Sequence, residues 1–452
     1  MSLLKLAETS IPARVRTRMA ERAKPAVRWG LGHGLPRVAI ARASRRGDVQ
    51  GQLIRAAATR GDDPALVALL EEIRGQGVLV RGGLSHVTVS HAAVKEVLSS
   101  NDFSTGLPLP SNGVWGTLGD WSESEFFNPV RPPSLLVTEP PDHTRYRRLV
   151  TRVFSARAVE QLRSRTEQIA AGLLDDLDPA GDVDLVDAYC GLLPVTVISE
   201  VLGVPLEMRR RILELGGGAA ASLDIGLGWG EFRAVEAALQ EFDSWLTGHL
   251  ERLRRDPGED LLSQLVHAQE DGTGLTEREI KATAGLVLAA GFETTVNLLG
   301  NGIALLRGHP EQLERLRVEP ELWPNAVDEI LRYDPPVLLT GRVATVDTTV
   351  AGRELRAGQA VTTVLAGANR DPEVFEDPAV FDIARPNARD HVSFSAGRHY
   401  CLGAQLARME GEVGLRALFD RFPDLELLPG AERRPTRILR GYEHLPARLN
   451  GN

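Results

Sequence analysis

Cysteine is almost missing from this chain. Two occur in 452 residues, Cys190 and Cys401, far apart. That is too few for a disulfide framework or an iron–sulfur cluster, and a reducing, cytoplasmic compartment is the default expectation. The first residues also lack the apolar core and small-residue cleavage site of a secretory signal. Internal repeats and low-complexity tracts are absent. The one Gly-x-Gly-x-Gly run, Gly226, Gly228 and Gly230, has no strand before it and no βαβ pattern after it, so no dinucleotide site is read from it. Uncharged stretches are scarce. The one that approaches membrane-spanning length, Ala282 to Leu306, carries a central Glu293 with Thr294, Thr295, Asn297 and Asn301 close by. An acid at a helix centre costs about 2.5–3.5 kcal/mol on insertion. A helix buried in a large protein explains the pattern better, so no transmembrane segment is expected.

What is present is an ordinary globular composition, 43% hydrophobic and 25% charged, with a net charge of −9. That charge is uneven. Residues 1–46 hold eleven Lys or Arg and two Glu, leaving −18 for the remainder. Residues 1–60 are expected to be a basic, partly mobile extension and 61–452 a single catalytic domain. A surface for an acidic partner or an anionic membrane is the sharper reading of the extension. Pro12, Pro25 and Pro36 are expected to prevent one long helix there. Nucleic acid is not an expected partner.

Local patterns are mostly helical. Tyr146, Leu149, Val150 and Val153 make one apolar stripe, Trp323, Ala326, Val327, Ile330 and Leu331 a second, and Leu402, Leu406, Met409 and Val413 a third. Thr276 with Glu279 reads as a capping box opening the long apolar helix. Leu79–Val80 and Val87–Val89 around Arg81-Gly82-Gly83 read as a hairpin. Residues 101–137 read as a long loop, of the kind that often acts as a lid. Short β-prone runs alternate with turns between 338 and 365. The fold class is mainly α with small β-sheets.

Cys401 sits where a loop enters the helix of the third stripe. Helix-terminal amides favour a thiolate, the form that ligates metal. Gly397 and Gly403 allow close backbone approach to something flat and bulky. Cys190 reads as core packing.

The run Phe394-Ser395-Ala396-Gly397-Arg398-His399-Tyr400-Cys401-Leu402-Gly403 resembles the cysteine-ligand loop of the cytochrome P450 superfamily, at Phe394, Gly397, His399, Cys401 and Gly403. Glu329-Ile330-Leu331-Arg332 resembles its Glu-x-x-Arg helix motif. Ala290-Gly291-Phe292-Glu293-Thr294-Thr295 resembles its oxygen-activation motif. His143 and Arg147, after Glu139-Pro140-Pro141-Asp142, resemble its early haem-contact helix. Asn369-Arg370-Asp371-Pro372 and Phe381-Asp382 with Arg385 are similar to the bacterial branch. The resemblance covers residues 75 to 445. Two departures stand out: Ser395 replaces a common second Gly, and Tyr400 replaces an apolar residue and is expected to tune the thiolate or the haem edge.

The resemblance implies the cytochrome P450 fold and a haem-thiolate monooxygenase with haem b, which inserts one oxygen atom from O2 into an apolar small molecule. It implies Cys401 as iron ligand and His143, Arg147, Arg342, Phe394, His399, Gly403 and Ala290 as haem contacts. Of these, His143, Arg147, Arg342 and His399 would serve the haem carboxylates, for which an arginine fork is well shaped. Glu293 and Thr294 are the expected catalytic pair, passing protons during oxygen activation; a gap in the helical ladder at Gly291 is expected beside them. Glu329, Arg332 and Arg385 are expected to be structural. Trp115, Trp121 and Phe126 are expected to roof an apolar pocket lined by Leu286, Ala290, Val337 and Leu338. Electrons would come from a ferredoxin and an NAD(P)H-dependent ferredoxin reductase, docking on Arg145, Arg148 and Arg152. The alternative is a peroxide-driven or other non-monooxygenase haem-thiolate enzyme.

Overall fold

The computed structural model describes residues 13–450 except 61–63, 107–112, 152–153, 259, 268 and 271–272. Arg152, Val153 and Pro12 lie outside the described residues. Helix α1 (Ala13–Trp29) passes through a π-turn (Gly30–Gly34) into α2 (Leu35–Arg45), followed by α3 (Val49–Ala57) and α4 (Pro64–Gln76). Strands β1 (Val80–Arg81) and β2 (His86–Thr88) precede α5 (His91–Ser99), β3 (Phe103–Thr105), α6 (Gly113–Ser122) and α7 (Asp142–Thr151). Then come α8 (Ala156–Asp175), β4 (Asp182–Asp184), α9 (Leu192–Val201), α10 (Arg209–Ala221), α11 (Trp229–Arg255) and α12 (Leu261–His267). After the β5 (Gln269–Glu270) and β6 (Thr273–Gly274) pair, α13 (Glu277–Gly308) spans 32 residues, with α14 (Pro310–Val318) and α15 (Trp323–Tyr333) behind it. Strands β7 (Leu339–Ala344), β8 (Thr348–Val350), β9 (Arg353–Leu355) and β10 (Ala360–Val364) lead to α16 (Leu365–Ala368). Helix α17 (Ala404–Arg421) and four short strands, β11 (Glu426–Leu427), β12 (Glu432–Arg433), β13 (Tyr442–His444) and β14 (Pro446–Arg448), complete the order.

The hairpin forms where the sequence suggests: Val80 faces Val87 and Arg81 faces His86. It joins a five-stranded sheet of order β1-β2-β10-β7-β3. The β8–β9 turn uses φ of +47° at Ala351 and +74° at Gly352, the left-handed pair that a tight hairpin requires. Helix α13 opens on its capping box, with Glu279 N donating to Thr276 Oγ1 at 3.3 Å and Thr276 N to Glu279 Oε2 at 2.7 Å. It is long and apolar enough to cross a membrane, yet 72% of its most apolar stretch is buried by the helices around it. Its burial is the physical reason an all-round apolar helix is stable here.

Two expectations change. Residues 101–137 are not one loop: α6 forms inside them, hidden from a periodicity reading by Gly116 and Gly119 among its apolar residues. The prolines also do not break the amino-terminal arm. Pro25 lies inside α1, and the π-turn closes with Leu35 N donating to Gly30 O just before Pro36. The wider turn absorbs the donor that proline lacks.

Candidate active site

Cys401 stands just ahead of α17, and the loop that presents it is shaped by its backbone. Gly397 has a φ of +65°, and a Cβ there would fall 2.5 Å from Leu98 O at the end of α5. Only glycine lets the loop lie that close. Ser395 also has a left-handed φ, +64°, which is why glycine suits that place. Cys401 N donates to Phe394 O at 2.8 Å and closes the loop. Phe394 is 9% exposed, with the Arg408 guanidinium 4.6 Å from its ring centre. Gly403 caps α17.

Cys401 has open surface, yet burial pushes its thiol up, against the Gly403 amide and the charges of Arg147 and Arg408. The residue thus keeps accessible surface although protein atoms surround its sulfur. Desolvation outweighs the helix-terminal amides that the sequence reading credited with favouring thiolate. A bonded cation would reverse that balance.

Near the cysteine loop lies a cluster of side chains with too much positive charge. His143 on α7 is 2% exposed, and its ring lies 4.5 Å from that of His399. Nε2 of each is buried without a hydrogen-bond partner; that of His399 lies 3.4 Å from Glu139 Oε1 but is poorly aligned. Burial lowers both imidazoles, His399 to about 4 with His143 as the next cause, so both are neutral at pH 7. Arg342 on β7 is 5% exposed and donates only to Thr340 Oγ1 at 3.2 Å and Gly341 O at 2.8 Å. Burial brings it down to about 10. Arg147 donates to Tyr400 O at 2.7 Å, and burial lowers it as well. No carboxylate among the described residues forms an ion pair with Arg342 or Arg147. Glu139 takes the third arginine of the group, Arg398, at 2.9 Å. Three arginines against one carboxylate leave two positive charges in surplus, which burial makes costly until two negative charges enter.

On α13, the expected catalytic residues point apart. Thr294 Oγ1 donates to Ala290 O at 2.8 Å and Thr295 Oγ1 to Gly291 O at 3.1 Å. Glu293, 4% exposed, is paired with Arg434 in the carboxyl-terminal segment. The helix runs unbroken, so the expected gap at Gly291 is corrected: its open side meets Ile198 at an ordinary 3.5 Å, and nothing wedges the backbone apart.

An accessible cysteine at the head of α17, two imidazole nitrogens without hydrogen-bond partners and two arginines without a carboxylate fit a haem held by Cys401 with its two carboxylates among the basic side chains. The comparisons with known proteins agree. A family model for Cytochrome P450 matches residues 226–439. The cytochrome P450 140 of Mycobacterium tuberculosis is 51% identical over 433 residues, 94% of this chain and 98% of that one. This chain belongs to the cytochrome P450 family. The 6-deoxyerythronolide B hydroxylase of Saccharopolyspora erythraea is 43% identical over 318 residues, 70% of this chain and 77% of that one. The ligand-free structure of Mycobacterium smegmatis CYP164A2 superposes with a TM-score of 0.78 at 33% identity, covering 89% of this chain and 99% of that one. The protein is a haem-thiolate oxidoreductase of the monooxygenase class with the P450 fold, mainly α with small sheets.

The P450 scaffold behind the cysteine loop is a buried charge network. Glu329 and Arg332 are both 0% exposed and share two hydrogen bonds of 2.6 and 2.7 Å. Arg385 joins Glu329 at 3.2 Å, and Arg332 also donates to the carbonyls of Asn369, Pro378 and Val380 at 3.0 Å. Asn369 continues the chain to the cysteine loop through Ser393 Oγ at 2.7 Å and Val392 N at 2.8 Å.

Other expectations fare differently. Tyr400 is 39% exposed and its hydroxyl meets Arg408 at 3.5 Å, so it faces the surface, not the thiolate. Arg145 does not point freely to solvent: it is paired with Glu279 at 2.6 Å because α7 packs on the start of α13. Arg148 is exposed. Leu338 belongs to the core behind the sheet, with Val87 and Val364. Trp115 and Trp121 keep 53% and 41% of their surface. Sequence reading missed Arg398, Glu139 and Arg434. Arg398 and Glu139 were within quoted motifs, but only the fold shows that they meet; nothing in the sequence singles out Arg434.

Proposed function

We propose that Cys401 is the iron ligand of a haem b, and that His143, Arg147, Arg342 and His399 hold its two carboxylates, with Ala290, Phe394 and Gly403 against the ring. The surplus of two positive charges around His143 and His399, Arg342 buried and Arg147 half-buried, carries this reading. The bound haem supplies activation of dioxygen and insertion of one oxygen atom into a C–H bond. The chain's own part is to bind, orient and deliver protons. Thr294 offers a hydroxyl one helical turn from Ala290, and Glu293 supplies an acid whose position Arg434 holds. Leu286, Ala290 and Val337 suit an apolar small-molecule substrate. The hydroxylase from Saccharopolyspora, by its name, acts on 6-deoxyerythronolide B, a relative that supports a small organic substrate here. Two cysteines leave the chain no iron–sulfur centre of its own, so electrons come from a separate ferredoxin and its NAD(P)H-dependent reductase in the cytoplasm.

The test begins with reduction of the purified protein under carbon monoxide, where a thiolate-held haem gives a strongly red-shifted Soret band. Dioxygen uptake with ferredoxin, reductase and a spin-state-shifting ligand then measures turnover. A colourless protein, or a Soret band of imidazole ligation, defeats the reading. Turnover with peroxide alone, and none with ferredoxin, replaces the monooxygenase by the peroxide-driven alternative.

A further inference from the structure

The amino-terminal arm reaches the roof of the molecule. Arg28, in the last turn of α1, donates from Nε to Glu236 Oε1 of α11 at 2.7 Å and from Nη1 to Ser122 O at the end of α6. One guanidinium thus joins two elements 114 residues apart in sequence, and the ion pair is almost closed to water, its side chains 11% and 9% exposed. The next residue, Trp29, donates from Nε1 to Leu227 O at 3.0 Å and sets its ring edge-on to Trp229 at 5.7 Å. His33 Nδ1 accepts from Leu227 N at 3.4 Å. Both backbone polar groups of Leu227, a residue 6% exposed, therefore find their partners in the arm. A buried backbone group left unpaired is costly, so the turn between α10 and α11 depends on the arm to close.

The two gripped elements lie over the first half of α13. The loop after α6 places Phe127 where a Cβ on Gly285 would be, 2.4 Å away, and Phe127 N donates to Asp243 Oδ1 of α11 at 3.0 Å. Helix α10 sets Gly216 against Phe292. Gly285 precedes Ala290 by about one and a half helical turns. Helix α6 is otherwise loosely held: only Gly116 and Ser122 are buried in it, while Val114 and Trp115 are 72% and 53% exposed. The cover consists of two separate pieces of chain, and the arm ties one to the other.

We propose that this arm is a strap across the access side of the haem pocket, with Arg28 and Trp29 as positioning residues that set how fast large ligands enter and leave. The inference rests on the haem reading above. Opening the cover breaks the Arg28 bridge and leaves the buried carboxylate of Glu236 with Arg233 of its own helix alone, at 3.3 Å. Small ligands pass without that opening; bulky ones require it.

The test uses the full-length haem-loaded protein and the variants Arg28→Ala, Arg28→Lys and Trp29→Phe, the last keeping an aromatic, though smaller, ring and losing the Nε1–H donor. Stopped-flow mixing measures association and release of imidazole and of a triarylmethyl imidazole at the ferric iron. Arg28→Ala is expected to speed both steps for the bulky azole about tenfold, Trp29→Phe less, and neither to change imidazole, as expected for gating by a cover. Arg28→Lys keeps the charge on Glu236 and is expected to restore part of the effect. Hydrogen exchange is expected to rise in residues 113–122 and 222–232 and not in α17. Unchanged bulky-ligand rates overturn the strap, and so does equal acceleration of both ligands, which indicates general loosening. If Arg28→Ala does not hold haem, Trp29→Phe decides alone. A wild-type protein without the red-shifted carbon monoxide band defeats the haem reading, while the exchange data still report on the strap.

Discussion

Ser395 pays a backbone penalty that its neighbour Gly397 does not. A non-glycine residue at left-handed φ costs about 1–2 kcal/mol, and Ser395 Oγ is buried without a partner besides. Ser395→Gly is expected to raise the urea midpoint of the holoprotein by about 1 kcal/mol equivalent, with the carbon monoxide spectrum unchanged; a lower midpoint would show that the side chain is needed. Arg342 gives the opposite case. Its charge forms no ion pair with a carboxylate among the described residues, so its role is expected to be felt mainly through the bound group. Arg342→Gln is expected to speed haem transfer to apomyoglobin by about 10–100-fold, the worth of one charge-assisted hydrogen bond. Retention equal to wild type would remove Arg342 from the haem site. Cys401→Ser is expected to abolish the red-shifted Soret band, whereas Cys190→Ser, at a site wholly inside the core, is expected to keep it.

Between elements, α17 and α13 share a buried acid that the chemistry does not use. Glu410 is 2% exposed, one of its oxygens has no partner, and burial raises its carboxyl to about 8, opposed only by the nearby Thr295 hydroxyl. The folded state keeps a proton that the unfolded chain releases above about pH 4.5. Its contribution is thus lost as pH rises from about 4.5 to 8. Glu410→Gln, neutral at every pH, is expected to be stabilised relative to wild type by on the order of 2–4 kcal/mol at pH 8 and by little at pH 4.5. The measurement is the urea midpoint at both pH values, and a gap that does not widen with pH would exclude a protonated Glu410. The Glu329–Arg332–Arg385 network behaves as a lock instead. Glu329→Gln strands two buried arginines and is expected to cost about 3–5 kcal/mol, seen as protein that no longer retains haem.

Across the whole molecule, the histidines act together. Burial lowers His33, His143, His249, His391 and His399. Each is neutral when folded and takes a proton in the unfolded chain below about pH 6.5. Their stabilising contribution is therefore complete above about 6.5 and lost as pH falls, reaching about 4 for His399. Asp328, Asp334 and Glu139, also lowered, add losses in the acid range below about pH 4. Thermal midpoints are expected to fall steadily from pH 6.5 to 4. His399→Phe is expected to flatten that fall throughout, down to about pH 4; an unchanged slope would assign it to the other histidines.

The local patterns at fixed spacing, including those of the proposed cysteine loop, were legible in one dimension. Cys401 with Gly397 and Gly403, the Glu329–Arg332 pair, the Thr276–Glu279 cap and the long apolar helix all act within a few residues of one another, so their local pattern carries their meaning. Glycine at 397 is required by a single φ and one close carbonyl, and such a need is written where it acts. Tertiary structure alone decided which charges meet. Arg398 finds Glu139, Arg434 finds Glu293, Arg145 turns to Glu279 and Arg28 bridges α6 to α11, because ion pairs form between side chains that packing brings together, whatever their separation in the chain. Helix α6 and the continuous arm likewise formed against weak local propensity, since burial against distant elements stabilises a helix more than its own residues do.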